Sequence, residues 1–169
     1  MPGYLWQHTR ELHQACEDHP VGQSMAEGNP SPYTYSHWLS ALYTIHCRID
    51  AHAPECAGRA EQLLQDLSHY DRVESVQAAE DFVSTLTDAN DIDGAVYVLL
   101  GAHLMGGEIL KRRLADYPTE HLEWQDRKQC LEVLNSLRNR EEILPGALEC
   151  FQAILDIMSE IHQPQAQAA

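Results

Sequence analysis

Apolar residues recur along this chain at the three-and-four spacing of helices that bury one face. Between Tyr4 and Asp18, Leu5, Trp6, Thr9, Leu12, His13 and Cys16 share one side. His19-Pro20 closes that helix, because the residue before a proline leaves the helical region. Val21 to Pro32, rich in Gly, Asn, Ser and Pro, reads as a loop. Ser36 is placed to cap a helix carrying Trp38, Leu39, Leu42, Ile45, His46 and Ile49, which Ala53-Pro54 closes. Cys56 to Leu67 continues as helix, and Asp71 caps another through Phe82 and Leu86. Asp88 to Asp91 is a turn. Asp93 to Leu114 is one apolar helix, stopped by Tyr117-Pro118. Glu120 to Leu137 is helical, Arg138 to Glu142 is a polar break, and Leu144 to His162 is a final amphipathic helix with Pro145 near its start. The low-complexity segment 163–169 is expected to be a disordered tail. No strand alternation or internal repeat interrupts the pattern. The prediction is an all-α single domain over 1–162, an irregular helical bundle of about seven helices.

Composition narrows the function classes. The chain has 169 residues, enough to bury one continuous core, and a formal net charge of −15. Nucleic-acid binding needs Lys and Arg to neutralise phosphates, and an anionic membrane surface also attracts basic segments, so both partners are disfavoured. No apolar run reaches the length of a membrane span, and Met1-Pro2-Gly3-Tyr4 lacks the charged start and apolar core of a signal peptide. A cytoplasmic location is expected. Five cysteines, Cys16, Cys47, Cys56, Cys130 and Cys150, lack C-x-x-C spacing and read as reduced thiols.

Two local features change the picture. Gly101, Gly106 and Gly107 fall within seven residues inside an apolar helix, where each glycine costs about 1 kcal/mol relative to Ala. Glycine lets a helix bend and lets a flat group approach its backbone, but taken alone the stretch is better explained by close helix packing or a plain kink. Lys111-Arg112-Arg113 follows, the densest basic cluster in the chain. It suits a local anion site, or simply the C-terminal end of a helix dipole. His13 lies on the apolar face of the first helix, with Glu17 one turn on. It is either a hydrogen-bonded core histidine or a metal ligand whose ring Glu17 orients.

Thr9-x-x-x-His13-x-x-x-Glu17, with Leu12 before the histidine, resembles the proximal helix of haem oxygenases. The stretch from Ala95 to Lys111, with Gly106-Gly107, resembles their distal helix and is most similar to bacterial forms associated with phytochromes. Met25, Gly28, Tyr35, Trp38, Leu39 and Leu42 also fit, so the resemblance runs over roughly residues 4 to 160. It implies haem as cofactor and substrate, with His13 as the axial iron ligand and Gly106 and Gly107 over the distal haem face. Tyr97 would stand near a propionate, and Arg127, Lys128 or Arg138 would be basic partners. Where many members carry a lysine on the first helix, this chain has Trp6 or its neighbours, and Arg10 is the only cation there.

One departure concerns chemistry. The distal aspartate that holds a proton-donating water network in the family maps to His103, and the small residue beside the glycines maps to Met105. An imidazole can order water, but it can also bind iron. The resemblance therefore implies a haem oxygenase that cleaves haem with dioxygen to biliverdin, carbon monoxide and iron. Its electrons would come from an external donor such as a ferredoxin or a flavoprotein reductase. The alternatives are a non-catalytic haem binder or sensor with His103 blocking the distal site, and a carboxylate-histidine di-iron protein. The last needs paired Glu-x-x-His motifs, and the nearest match, Glu17-Asp18-His19, has the wrong spacing.

Overall fold

Side-chain caps and prolines set most helix starts in the computed structural model, which describes residues 2–162. Nine α-helices occur among them, more than the seven or so predicted. These are α1 (Tyr4–Asp18), α2 (Pro20–Glu27), α3 (Pro32–Ile49), α4 (Ala60–Leu67), α5 (Gln77–Thr85), α6 (Ala89–Leu100), α7 (Gly107–Arg113), α8 (Arg127–Leu137) and α9 (Leu144–Ile161). A π-helical segment, Gly101–Met105, joins α6 to α7, and single 3-10 turns occur at Glu55–Ala57, Glu120–Leu122 and Glu141–Ile143. No strand occurs among the described residues. The expected tail at 163–169 lies outside them.

Several boundaries differ from the sequence reading, each for a local reason. The expected loop after Pro20 is helix α2. Pro20 sits in its first turn, His19 Nδ1 accepts the Val21 N–H, and Val21 and Met25 bury one face. Gly28 ends it at φ 74°, a left-handed conformation that glycine adopts without strain. Helix α3 starts earlier than predicted, because Ser31, not Ser36, accepts the Thr34 N–H; Ser36 Oγ bonds the Tyr33 carbonyl instead. Asp71 caps nothing. Helix α5 is capped from a distance, by Glu160 of α9, whose carboxylate oxygens accept the N–H groups of Gln77 and Ala78. Asp88 accepts the Asp91 N–H, so the expected turn is the first turn of α6. The helix expected over Glu120–Leu137 is broken, with α8 starting afresh on the Asp126 carboxylate.

The core is organised around α9, which packs on α6, α1, α5 and α3. Its tightest crossing is with α6. A Cβ on Gly94 would lie 2.5 Å from the Ala147 nitrogen, and one on Gly146 would lie 2.9 Å from Asp91 and Asn90 backbone atoms, so the two backbones touch. Arg140 ties the loop before α9 to α6, with Nη1 2.6 Å from Asp93 Oδ2. The polar break after α8 also caps α1, since the Leu5 and Tyr4 N–H groups bond the Arg138 carbonyl and Asn139 Oδ1. No described helix is long and apolar enough to cross a membrane.

Candidate functional site

The long apolar helix bends where its glycines cluster. Between α6 and α7 the chain widens into the π-helical turn Gly101–Met105, a form that leaves backbone carbonyls short of partners. Two side chains from the segment before and at the start of α8 meet them. Trp124 Nε1–H donates to the His103 carbonyl at 3.3 Å, and Arg127 Nη1–H donates to the Leu104 carbonyl at 2.8 Å. Arg127 is thus a strut for the bend.

The glycines there differ from those in the core. A Cβ on Gly101 would meet only Leu134 Cδ1 at 3.8 Å, and one on Gly107 only Leu122 Cδ2 at 3.6 Å, both ordinary contacts. Gly106 would crowd only the Ala102 carbonyl of its own turn, at 2.9 Å. Close packing therefore explains Gly94 and Gly146 but not Gly101 or Gly107. Large apolar side chains stand in solvent nearby: Met105 is 57% exposed and Ile109 63%.

On α1, Thr9 and Leu5 are buried and His13 is half-exposed. The His13 ring stands edge-on to Phe151 and Trp6, with centroids 6.1 Å and 5.3 Å away. Glu17 Oε1 lies 3.8 Å from His13 Nε2, within ion-pair range but too long for a hydrogen bond. Trp6 itself is 42% exposed. Arg10 and Lys128 are exposed cations, and Tyr97 is half-buried on α6, where burial raises its phenol pKa and nearby Arg138 pulls it back. Lys111, Arg112 and Arg113 form the last turn of α7, as the helix-dipole reading has it, and Lys111 pairs with Glu123.

His103 is the buried member of the bend, at 5% exposure. Burial holds its pKa well below 6.5, with lesser contributions from His121, His46 and Arg59, so the ring is neutral at pH 7. Its surroundings escaped the sequence reading. Asp66, fully buried on α4, accepts the N–H groups of Glu120 and His121 and, at 2.6 Å, His121 Nδ1–H. Asp50 accepts His46 Nδ1–H at 2.8 Å and the N–H groups of Arg59 and Ala60. Desolvation alone would raise the Asp50 pKa, but those bonds together lower it. Arg59 is buried and stacked 3.9 Å over the Trp124 ring. Only the His46–Asp50 pair, one turn apart on α3, had a signal in sequence spacing. Among the described residues no group of three or more His, Cys, Asp or Glu is placed to hold a metal ion, so the ligand set of a di-iron site does not occur there.

No protein-family profile and no curated protein matches the sequence. Solved structures do match in shape. Haem oxygenase from Leptospira interrogans superposes with a TM-score of 0.78 at 24% identity, over 92% of this chain and 97% of that one. Haem oxygenase-1 from the cyanobacterium Synechocystis sp. PCC 6803, in complex with haem, gives a TM-score of 0.82 at 19% identity, over 97% of this chain and 93% of that one. Haem oxygenase-2 of the same cyanobacterium, in complex with haem and NO, gives 0.79 at 20% identity, over 93% and 83%. From its first helix to its last described one, then, this chain has the fold of the haem oxygenases.

Proposed function

We propose that this chain binds haem, with His13 as the axial iron ligand. In this reading it cleaves haem with dioxygen, using electrons from a ferredoxin or flavoprotein reductase, to biliverdin, carbon monoxide and iron. The observation that carries the reading is the bare backbone at the bend. Gly101 and Gly106 are half-exposed, Gly101 and the buried Gly107 have room for a Cβ in the protein's own packing, and Met105 and Ile109 beside them are left in solvent. A flat apolar group lying against that wall accounts for both. Trp6 and the half-exposed His13 offer a matching apolar and ligating surface on α1.

Bound haem supplies the redox chemistry, because its iron activates dioxygen and its macrocycle is the group oxidised. The residues supply position. His13 would present a ring nitrogen to iron, and Glu17, with Oε1 3.8 Å from His13 Nε2, is the carboxylate placed to orient it. Arg127 and Trp124 hold the bend in place through the carbonyls of Leu104 and His103. Arg10, Lys128 and the Tyr97 hydroxyl are the groups to meet the propionates, since a buried carboxylate needs a cationic or hydrogen-bonding partner. Gly106 and Gly107 keep the backbone close to the distal side, Met105 covers its edge, and neutral His103 orders water. The reading in which His103 ligates iron and blocks turnover has less support, because that ring is turned among buried groups rather than exposed beside Met105.

Titration with hemin tests the ligand. His13→Ala should lose most of the Soret absorbance that the native chain develops, and added imidazole should restore it. An unchanged spectrum removes His13 from the site. Reduced donor, dioxygen and the haem complex should then yield biliverdin absorbance and carbon monoxide; haem binding without either product would favour the non-catalytic reading.

A further inference from the structure

Three buried imidazoles meet behind the bend. His103 lies between His46 of α3 and His121, with ring centroids 6.2 Å and 5.6 Å away. The outer two are each fixed by a carboxylate, Asp50 for His46 and Asp66 for His121. With Nδ1–H given to Asp50, Nε2 is the nitrogen of the His46 ring left to accept. That nitrogen and His103 Nδ1 are both buried, and neither has a partner within the protein. Leaving two such atoms unpaired is costly, so buried polar groups of this kind normally find one.

Both rings line the same cavity. Its volume is about 10 Å³, the lower limit of the space one water molecule needs. The remaining wall is aliphatic except for Trp124 and Arg59. The single indole donor of Trp124 is spent on the His103 carbonyl. Arg59 gives Nε–H to the Gly58 carbonyl and one Nη1–H to the Glu123 carbonyl, and keeps further N–H groups in its fork. The residues around the cavity thus carry two unpartnered nitrogens and one cationic donor, the usual complement for a buried water.

We infer that this cavity holds one structural water, which accepts from Arg59 and donates its two hydrogens to His46 Nε2 and His103 Nδ1, and so fixes His103 as the Nε2–H tautomer. A neutral imidazole carries one N–H, so an accepting Nδ1 places the proton on Nε2. A protonated Nε2 donates hydrogen bonds and has no lone pair to give a metal ion. His46 is then a positioning residue, set by Asp50 and acting on His103 through the water. The functional consequence rests on the proposed haem-binding reading: His103 keeps its proton on Nε2 and is held back from ligating iron.

The tautomers can be read without haem. In apo protein labelled with 15N-histidine, two-bond 1H–15N correlations should show His103 as Nε2–H and His46 as Nδ1–H, with a water cross-peak to both rings. His46→Phe keeps a ring in place but removes the acceptor, and should abolish the single-tautomer pattern of His103. His46→Gln, which retains an acceptor, should restore it. An Nδ1–H pattern for His103 in the native chain overturns the inference, as does an unaltered His103 pattern in His46→Phe. Should His46→Phe fail to fold, the native spectrum and His46→Gln still decide. With hemin added, the ferric native complex should be high-spin and His46→Phe should gain a low-spin component that His103→Ala removes; a low-spin native complex that depends on His103 also overturns it. Failure to bind hemin would overturn the proposed function while leaving the tautomer result standing.

Discussion

Gly107→Ala separates what the fold needs from what a ligand needs. At this position the added methyl would meet Leu122 Cδ2 at 3.6 Å, an ordinary van der Waals contact. The glycine is the first residue of α7 and its φ is not positive, so alanine fits the backbone. Alanine is preferred over glycine inside a helix by about 1 kcal/mol, and less at a first turn, so the apo protein should be unchanged or gain up to about 1 kcal/mol. For a chain of this size that is a rise in Tm of about 0 to 4 °C. Gly94→Ala is the control. Its methyl would lie 2.5 Å from the Ala147 nitrogen and 2.6 Å from the Gly146 carbonyl carbon, so α6 and α9 must part. Overpacking of this kind costs about 1–3 kcal/mol, which outweighs the propensity gain. Thermal unfolding followed by circular dichroism measures both apo proteins, and a hemin titration measures binding. Gly107→Ala should bind hemin at least tenfold more weakly while its apo Tm holds. If the apo protein is destabilised as much as Gly94→Ala, the space beside Gly107 is not free. If stability and hemin affinity both hold, the bare backbone is not a haem surface.

Three other perturbations test separate links. His103 is held well below its ordinary pKa of 6.5 by burial first, with His121, His46 and Arg59 alongside. The unfolded chain therefore binds a proton that the folded chain refuses, so stability is full above about pH 6.5 and falls as the pH drops toward the folded-state pKa. Urea midpoints should decline between pH 7.5 and 5 and decline less in His103→Leu; equal slopes would refute the assignment. Asp66→Ala strands two backbone N–H groups and His121 Nδ1–H in the core, and at about 1–3 kcal/mol per stranded donor the loss should reach at least about 3 kcal/mol in urea unfolding; a loss below about 1 kcal/mol would show that water replaces the carboxylate freely. Tyr97→Phe should weaken hemin binding modestly or change which meso carbon is cleaved, read from the biliverdin isomer, and no change in either would remove Tyr97 from the propionate.

The sequence carried the parts of the fold that depend on neighbours in the chain. Helices α1 and α9 were legible because each combines its own apolar stripe with its own stop signals, such as His19-Pro20. Helix α2 was hidden because its composition is that of a loop; only the burial of Val21 and Met25 against the rest of the molecule makes it a helix. The start of α5 and the break after Leu122 depend on Glu160 and Asp66, carboxylates far away in sequence, and no local pattern reports such a partner. The same division runs through the candidate site. His13, Glu17 and the glycines stood out by spacing within one helix, and His103 through the resemblance to haem oxygenases. Asp66, Arg59 and Trp124 did not, since their roles exist only once α4, the turn at Glu120–Leu122 and the bend meet.

The glycine crossing of α6 and α9 also decides how this molecule can breathe. Backbones in direct contact interlock like teeth, so α6 cannot slide along α9 without first separating from it. Helix α1 rides on α9, whereas Gly101–Met105 is held by Trp124 and Arg127. In the proposed haem-binding reading, admission of the ligand would then come from flexing downstream of the crossing, at the π-helical turn, with α6 and α9 acting as a fixed post. Amide hydrogen exchange should show that division along a single stretch of chain: slow from Ala95 to Leu100, and faster from Gly101 to Gly106 until a ligand closes the gap.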